Sequence, residues 1–218
     1  MDVPETRERP LPVPLPPDWP PVRPAAQPTA PPLPQGPLHT ARLVLRPWQD
    51  EDIPAIHKIC QDPDIQRWTT VPSPYEWGDA EWFVREFTRT GFATGDEATF
   101  AAVVRDTGQI AGAIGLGGIG RNSEGRGVRT AEIGYWANPD TRGRGYVTEA
   151  VREVVRWGFE EIGLERVTWQ AFDGNAASRR VIEKLGFTIV GLQRGSHEHR
   201  GRRADMWLAD VLPGELRS

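Results

Sequence analysis

The segment NPDTRGRGYVTEA, residues 138–150, constrains the fold more than any other part of this sequence. Gly143 and Gly145 stand between a strand-like run and a helix with one apolar face, formed by Val147, Ala150, Val151, Val154, Val155, Gly158 and Ile162. Backbone N–H groups at the start of such a helix, together with Arg142 and Arg144, form a site for an anion. A P-loop requires a lysine directly after its second glycine, and this turn has none. We therefore predict that the turn binds a diphosphate and does not cleave it. A glycine entry to the helix without any ligand is the alternative for this segment alone.

Strand and helix patterns also alternate through the rest of the chain from Leu38 onward. Alternating apolar residues predict strands, and apolar residues three or four apart predict helices. The predicted strands cover residues 38–48, 98–104, 109–120, 130–138, 166–172, 188–192 and 204–211. The predicted helices begin after Asp50 and otherwise cover residues 79–91, where Gly91 ends the helix, 144–162 and 176–185. This order predicts a mixed α/β sheet with helices on both faces.

Proline content divides the chain into an arm, residues 1–37, and one domain, residues 38–218. The arm holds 14 of the 21 prolines. Proline fixes φ and removes a backbone donor, so the arm is expected to be irregular or polyproline-like. It is either a flexible tail or a segment laid across the domain or across the partner subunit of a homodimer.

Composition excludes several classes of protein. The formal charge of −4 argues against a nucleic-acid binder, and no apolar run reaches the roughly 18 residues that a membrane span needs. The single cysteine, Cys60, is expected to be buried on a helix, which suits a reducing, cytoplasmic compartment. His197 and His199 stand in a predicted loop without a third ligand, so we expect no metal.

A second glycine-rich run, GLGGIG at residues 115–120, matches the dinucleotide pattern G-x-G-x-x-G. A dinucleotide fold needs a helix directly after the glycines, whereas the polar run RNSEGRGVRT follows here. A strand that enters a hairpin loop is therefore the favoured interpretation, and a nicotinamide-binding domain is the disfavoured one.

The segment DGNAASRRVIEKLGF, residues 173–187, carries the other half of the candidate site. On its predicted helix, Asn175 and Ser178 share a face with the apolar residues Val181, Ile182 and Leu185. Simple capping of the helix start explains both polar residues equally well.

Together, EIGYWANPDTRGRGYVTEA and NAASRRVIEKLGF resemble the GNAT acyltransferase superfamily, and more narrowly its subgroup that acetylates the N-termini of ribosomal proteins. The first strand and helix, TARLVLRPWQDEDIPAI, resemble that subgroup too, so the likeness covers roughly residues 38–211. It implies a central, mixed, mostly antiparallel sheet that is splayed near its middle and has helices on both faces. It also implies acetyl-CoA as the cosubstrate. The cofactor-binding residues it implies are Trp136, Ala137, Arg142, Gly143, Arg144, Gly145, Tyr146, Val147, Asn175 and Ser178.

The resemblance also implies an acid and a base for acetyl transfer. Many relatives place an acidic tyrosine seven residues after the asparagine, but Ile182 occupies that position here. Ser178, one turn earlier, is the nearest replacement, with Tyr135, Tyr146 and bulk water as the next candidates, and Glu132 is the candidate base. The alternatives are a packing role for Ser178 and an edge ion pair for Glu132. Trp68, Trp77 and Trp82 are interpreted first as aromatic core and second as the lining of an acceptor pocket.

Two functions remain open at this point. The first is an N-acetyltransferase that moves the acetyl group to a primary amine by direct attack, the amine being a peptide or protein N-terminus or a small molecule. The second is a catalytically reduced CoA-binding sensor or scaffold. Two departures from the family pattern keep it open: Ile182 replaces the tyrosine, and Val147 replaces the glycine or alanine that usually ends the phosphate-binding turn.

Overall fold

The computed structural model describes residues 32–120 and 129–217. Most of the predicted proline arm, residues 1–31, and the polar run at 121–128 lie outside the described residues. The strands are β1 Leu38–His39, β2 Leu43–Pro47, β3 Ala98–Val104, β4 Ile110–Gly120, β5 Thr130–Ala137, β6 Arg166–Phe172, β7 Thr188–His199 and β8 Arg202–Val211. The helices are α1 Ile53–Ile59, α2 Pro63–Trp68, α3 Trp77–Trp82, α4 Thr88–Thr94, α5 Tyr146–Trp157 and α6 Ala176–Lys184. A π-helical turn, Phe83–Phe87, joins α3 to α4, and another, Gly158–Ile162, extends α5.

The strands form one sheet in the order β1-β2-β3-β4-β5-β6-β8-β7. Within the described residues, β5 and β6 make the single parallel pair. They pair only at their beginnings, where Thr130–Glu132 lies beside Arg166–Thr168. Beyond Glu132 the two strands separate, which confirms the predicted mixed sheet with an opening near its middle.

Apolar side chains are buried on both faces of the sheet. On one face, α5 buries Ala150, Val151, Val154 and Val155 in a core that includes Ile182 of α6. On the other face, helices α1 to α3 cover a second core that includes Ile53, Ile56 and Trp48. Successive residues of a strand point to opposite faces, so Ala131, Ile133 and Tyr135 of β5 pack in the first core and Trp136 packs against the second. The prediction of helices on both faces is confirmed.

The helix predicted to end at Gly91 continues to Thr94 and ends at Gly95, which has φ +81°. Gly91 lies inside the helix, where a Cβ would stand 2.4 Å from the Cβ of Glu97. Glycine is therefore needed at position 91 for close packing, and the left-handed C-cap falls four residues later.

The last hairpin is longer than predicted, because β7 continues to His199 and β8 begins at Arg202. His197 and His199 consequently lie on a strand and not in a loop. The extension is polar and exposed on both sides, so it has no alternating apolar residues by which the sequence could reveal it.

The end of the proline-rich segment packs on the domain. The side chain of Leu33 is buried in the core on the α5 face, and its backbone N–H donates to the carbonyl oxygen of Phe92 at 2.9 Å. In the described part of the chain, no helix has both the length and the apolar character needed to cross a membrane.

Candidate active site

The turn between β5 and α5 is anchored to the neighbouring strand β4. Buried Asn138 donates through Nδ2 to the carbonyl oxygen of Ile110 at 2.7 Å, and its Oδ1 accepts from the N–H of Asp140 at 3.1 Å. The hydroxyl of buried Thr141 donates to the carbonyl oxygen of Ala111 at 3.2 Å. These bonds hold the start of the turn against the sheet, so the glycines that follow project from a fixed base.

Gly143 and Gly145 both adopt left-handed conformations, with φ of +78° and +79°. Gly145 is the N-cap of α5, and no side chain caps the first turn of that helix among the described residues. The first N–H groups of the helix are therefore open to a ligand, and the helix dipole favours an anion there. Tyr146 and Val147 supply two of these N–H groups.

The arginines around this turn hold it in place. The guanidinium of Arg142 pairs with Asp62, at 2.5 Å, and with Asp64, at 3.4 Å. Arg142 can therefore contact an anion only through its backbone. Arg144 is exposed, and its carbonyl oxygen accepts from Nη1 of Arg42 at 2.9 Å.

Arg42, which the sequence did not single out, buttresses the turn from the start of β2. Its Nε donates to Oε2 of Glu149 at 2.7 Å, and its guanidinium lies 4.7 Å from the centre of the Tyr146 ring. Burial alone would raise the pKa of Glu149, but hydrogen bonds from Thr40 and Arg42 outweigh that effect and lower the pKa. Only the folded chain shows this role, because β2 and α5 are about a hundred residues apart in sequence.

The opening between β5 and β6 leads into a cavity of about 1040 Å³. Trp136 and Ala137 line it from β5, and Asn175 and Ser178 line it from α6, next to the glycine turn. Beyond Glu132 of β5 and Thr168 of β6, the backbone N–H and C=O groups that face the opening do not pair across it. Such groups need hydrogen-bond partners, and a ligand with amides along its length would supply them.

Ser178 lies at the centre of a hydrogen-bonded group inside this cavity. Its Oγ accepts from Nε1 of Trp169 at 3.1 Å and donates to Oη of Tyr135 at 2.9 Å. Tyr135 in turn donates to the backbone carbonyl oxygen of Ser178 at 2.9 Å. Trp169 was not among the predicted site residues, and Tyr135 was only a secondary candidate for the acid, because both belong to strands that only the sheet brings beside α6.

Asn175 caps the start of helix α6, which was one of the two interpretations of this residue from the sequence. Its Oδ1 accepts from the backbone N–H of Ser178 at 3.1 Å. Its side-chain NH₂ group has no protein partner among the described residues, and the residue lines the cavity. Capping and ligand contact are therefore compatible here, since they use different atoms of the amide.

Glu132 and Ser178 reach the opening from opposite faces of the sheet. Glu132 shares its face of β5 with Trp136, whereas Tyr135 shares the other face with Ser178. The carboxylate of Glu132 accepts from Nε2 of Gln170 at 2.9 Å. Enclosure by the cavity walls raises the pKa of Glu132, while Gln170 and the nearby His197 act to lower it. Among the described residues no arginine pairs with Glu132, so an edge ion pair does not explain this carboxylate.

A second carboxylate, Glu97, lies beside Glu132 in an adjoining cavity of about 590 Å³. Its oxygens lie over Gly117, where an added Cβ would stand 2.8 Å from Oε2, and Gly117 is the cross-strand partner of Glu132. Loss of solvation raises the pKa of Glu97, the N–H of Gly118 lowers it, and the charges of Asp96 and Glu132 raise it further. Sequence reasoning missed Glu97 because its position depends on the pairing register of β4 and β5.

The three early tryptophans do not form the core that was the first interpretation. Trp77 is 47% exposed and Trp82 is 57% exposed, while Trp68 is half-buried. Trp68 and Trp82 line the larger cavity. The second interpretation, an acceptor-pocket lining, is compatible with Trp68 and Trp82 only, since Trp77 is not part of the cavity lining.

Cys60 is buried at the end of α1, and burial raises the pKa of its thiol to about 12. Such a thiol stays protonated and is a poor nucleophile at neutral pH. Within residues 32–120 and 129–217, no three His, Cys, Asp or Glu side chains are grouped so as to hold a metal ion.

Comparison with known proteins gives a consistent picture. The family model described as an acetyltransferase (GNAT) domain matches residues 42–188. The uncharacterized N-acetyltransferase p20 of Bacillus licheniformis is 26% identical over 178 residues, which cover 82% of this chain and 97% of that protein. The FsC-acetyl coenzyme A-N(2)-transacetylase of Aspergillus fumigatus is 32% identical over 203 residues, which cover 84% of this chain and 83% of that protein.

Among solved structures, RimL, a ribosomal alpha-N-protein acetyltransferase in complex with coenzyme A, superimposes with a TM-score of 0.72. The alignment covers 81% of this chain and 98% of that chain at 16% identity. At this level of identity the likeness concerns the fold alone.

Proposed function

The chain belongs to the GNAT acetyltransferase family and is an acetyl-CoA-dependent acetyltransferase, and from that premise we propose that it acetylates a primary amine by direct attack. The observation that carries the proposal is the opening between β5 and β6. Glu132 reaches it from one face of the sheet, and Ser178 and Tyr135 reach it from the other. An amine can therefore attack a thioester bound in this opening. One set of side chains is placed to take the proton of the amine, and another is placed to protonate the leaving thiolate.

The residues around the opening fit acetyl-CoA along its length. The open N–H groups at the start of α5, with the loop Arg142–Val147, would hold the diphosphate. The unpaired edge at Trp136 and Ala137, and the NH₂ group of Asn175, would hold the pantetheine amides. Bound there, acetyl-CoA supplies an acetyl group activated as a thioester. Valine at position 147 retains the backbone N–H that this binding requires.

Glu132 serves the amine side of the reaction. An amine attacks only after losing its proton, and a carboxylate with a raised pKa is a better base than one with an ordinary pKa. Glu132 takes that proton directly or through a water molecule in the cavity. Gln170 holds the carboxylate in position through its hydrogen bond.

The N-terminal end of α6 serves the thiolate side. The dipole of this helix favours negative charge at its start, where Asn175 and Ser178 stand. Ser178 accepts from Trp169 and donates to Tyr135, so a hydrogen-bonded pair of hydroxyls lies where negative charge develops on sulfur.

The acceptor is a peptide or protein N-terminus in preference to a small molecule. RimL is named for acting on a ribosomal protein, and this chain shares its fold. The exposed tryptophans of α3 and the wide mouth of the cavity leave room for a chain that continues beyond the reacting amine. A cytoplasmic location, where ribosomal proteins and acetyl-CoA occur together, agrees with this acceptor.

The test is thiol release from acetyl-CoA in the presence of a panel of peptides, polyamines and aminoglycosides. We expect release with at least one peptide that has a free N-terminus, and the acetylated product should be found by mass spectrometry. The alternative function, a CoA-binding sensor, rests on Ile182 in place of the family tyrosine. It predicts tight binding of CoA without turnover of any acceptor in the panel.

A further inference from the structure

We propose that Tyr135, on strand β5, is the general acid that protonates the leaving thiolate, in place of the tyrosine that relatives carry on the helix. This inference rests on the proposed function, because it assigns the proton donor of the same reaction. It also separates two roles, since Ser178 then orients the acid and Trp169 positions Ser178.

The hydrogen-bond directions distinguish Tyr135 from Ser178. The oxygen of Ser178 is occupied by the N–H of Trp169, and its own hydrogen points at Oη of Tyr135. The hydrogen of Tyr135 points at the backbone carbonyl oxygen of Ser178. Rotation about the Cζ–Oη bond redirects that hydrogen into the cavity without moving a heavy atom. Ser178 could give up its hydrogen only by abandoning Tyr135.

The phenol also has the right chemistry for the step. A serine hydroxyl is a far weaker acid than a phenol, and tyrosinate is stabilised by the hydrogen bond that Ser178 donates. Burial raises the pKa of Tyr135 above its ordinary value, and hydrogen bonding with Ser178 and Trp169 opposes that rise. Tyr135 therefore remains protonated until the thiolate forms.

The location of Tyr135 explains why Ile182 is tolerated. Ile182 is fully buried in the core that α5 covers and is not part of the cavity lining, so its side chain does not meet the thiolate. Tyr135 arrives from the adjacent strand and meets α6 at Ser178, one turn before Ile182. Both Tyr135 and Ser178 line the cavity.

The proposed step conserves atoms and charge. The amine nitrogen forms a bond to the carbonyl carbon, the C–S bond breaks, and the electron pair remains on sulfur. Tyr135 Oη transfers its proton to that sulfur, which yields the thiol and a phenolate held by Ser178. Glu132 takes the proton that the ammonium group loses before attack and passes it to solvent. After attack the nitrogen loses a second proton, which water in the cavity relays to the phenolate, so that Tyr135 is protonated again.

Tyrosine NMR tests this assignment without relying on turnover. The chain has three tyrosines, Tyr75, Tyr135 and Tyr146, so labelling at Cζ gives three resonances. Tyrosine-to-phenylalanine variants, one at a time, assign them. We expect CoA to shift the Tyr135 resonance in the parental chain, and desulfo-CoA, which lacks only the sulfur, to leave it near its free position. Equal shifts with both compounds would overturn the proposal.

Kinetics provide the second readout. Tyr135→Phe should lower kcat by about 10²-fold or more, with acetyl-CoA affinity within a few-fold of the parent. Tyr75→Phe, the matched control, should turn over at the parental rate. In the double variant Tyr135→Phe/Ser178→Ala, kcat should fall little below that of Tyr135→Phe alone, because the two groups act as one unit. A folded Tyr135→Phe enzyme that works at the parental rate would overturn the proposal.

Failure of the proposed function gives a different pattern. In that case the parental chain binds CoA and releases no thiol with any acceptor. The NMR comparison of CoA with desulfo-CoA then still decides whether Tyr135 contacts the sulfur.

Discussion

At the scale of single residues, two neighbouring carboxylates bear on the proposed attack by an amine. Glu132 and Glu97 lie in one cavity, and among the described residues their hydrogen-bond donors are Gln170 and the N–H of Gly118. Neither donor carries a charge, and within the described residues no salt bridge joins either carboxylate, although the imidazole of His197 lies near Glu132. Such an arrangement is unfavourable for the free protein and favourable for binding an ammonium group.

Replacement of Glu132 tests its role as the base. Glu132→Gln should lower kcat/KM by about 10²-fold or more, with little change in acetyl-CoA affinity. Because loss of solvation inside the cavity raises the pKa of Glu132, the acidic limb of the parental pH–rate profile should lie above the ordinary pKa of a glutamate. An unchanged profile in the variant would return Glu132 to a structural role.

Replacement of Glu97 should alter stability and pH dependence together. Its pKa is raised in the folded state, so ionisation of Glu97 destabilises the fold as pH rises past the ordinary carboxyl pKa. Glu97→Gln should therefore be more stable than the parent at neutral pH, and the gain should vanish in acid below that ordinary pKa. Removal of the negative charge of Glu97 should also lower the pKa of Glu132, which moves the acidic limb of the pH–rate profile to lower pH. Thermal melts and pH–rate profiles measure the two effects.

Ser178 tests the thiolate side of the site. Ser178→Ala removes the hydroxyl between Trp169 and Tyr135, and kcat should fall by about 10- to 10³-fold. Acetyl-CoA affinity should stay within a few-fold of the parent, because the contact matters chiefly as charge develops. Parental turnover in Ser178→Ala would leave the hydroxyl with a packing role only.

At the scale of elements, the junction of β5 and α5 is the part that depends most on backbone conformation. Gly145 has φ +79°, and Arg42, which directly precedes strand β2, holds the loop by donating to the carbonyl oxygen of Arg144. Two separate elements therefore keep the N–H groups of α5 open toward a ligand.

Substitution of the two glycines that flank α5 and its π-helical extension distinguishes a loss of stability from a loss of acetyl-CoA affinity. Gly145 and Gly163 have φ of +79° and +74°, so alanine at either position costs about 1–2 kcal/mol of backbone strain. Gly145→Ala should weaken acetyl-CoA binding, while Gly163→Ala, the matched control, should lose similar stability and keep the parental affinity. Gly145→Pro, which cannot adopt positive φ and lacks the N–H, should abolish binding. Calorimetric titration of each folded variant measures the affinities, and parental affinity in Gly145→Pro would refute the site.

At the scale of the whole molecule, the opening in the sheet makes stability depend on the ligand. Acetyl-CoA at 100 times its Kd should stabilise the fold by about 2.7 kcal/mol, which for a chain of this size raises Tm by roughly 5–11 °C. NAD should give no shift, because the GLGGIG run is an ordinary part of strand β4. A shift with NAD and none with acetyl-CoA would reverse the assignment of the glycine turn.

The sequence by itself determined the local elements and the family. The glycine turn, the apolar face of α5 and the cap at Asn175 are short-range features, and each one follows from residues a few positions apart. The resemblance based on them predicted a splayed mixed sheet and acetyl-CoA as cosubstrate, and the family match confirms the identification.

Only the tertiary structure decided which side chains meet. Tyr135 and Ser178 are 43 residues apart, and Arg42 and Glu149 are 107 residues apart, so no local pattern links either pair. Glu97 comes to lie beside Glu132 because Gly117 has no side chain and stands opposite Glu132 in the register of β4 and β5. Short-range spacing determines the conformation of each segment, whereas contacts between distant segments depend on strand order and register, which are set by packing of the whole chain.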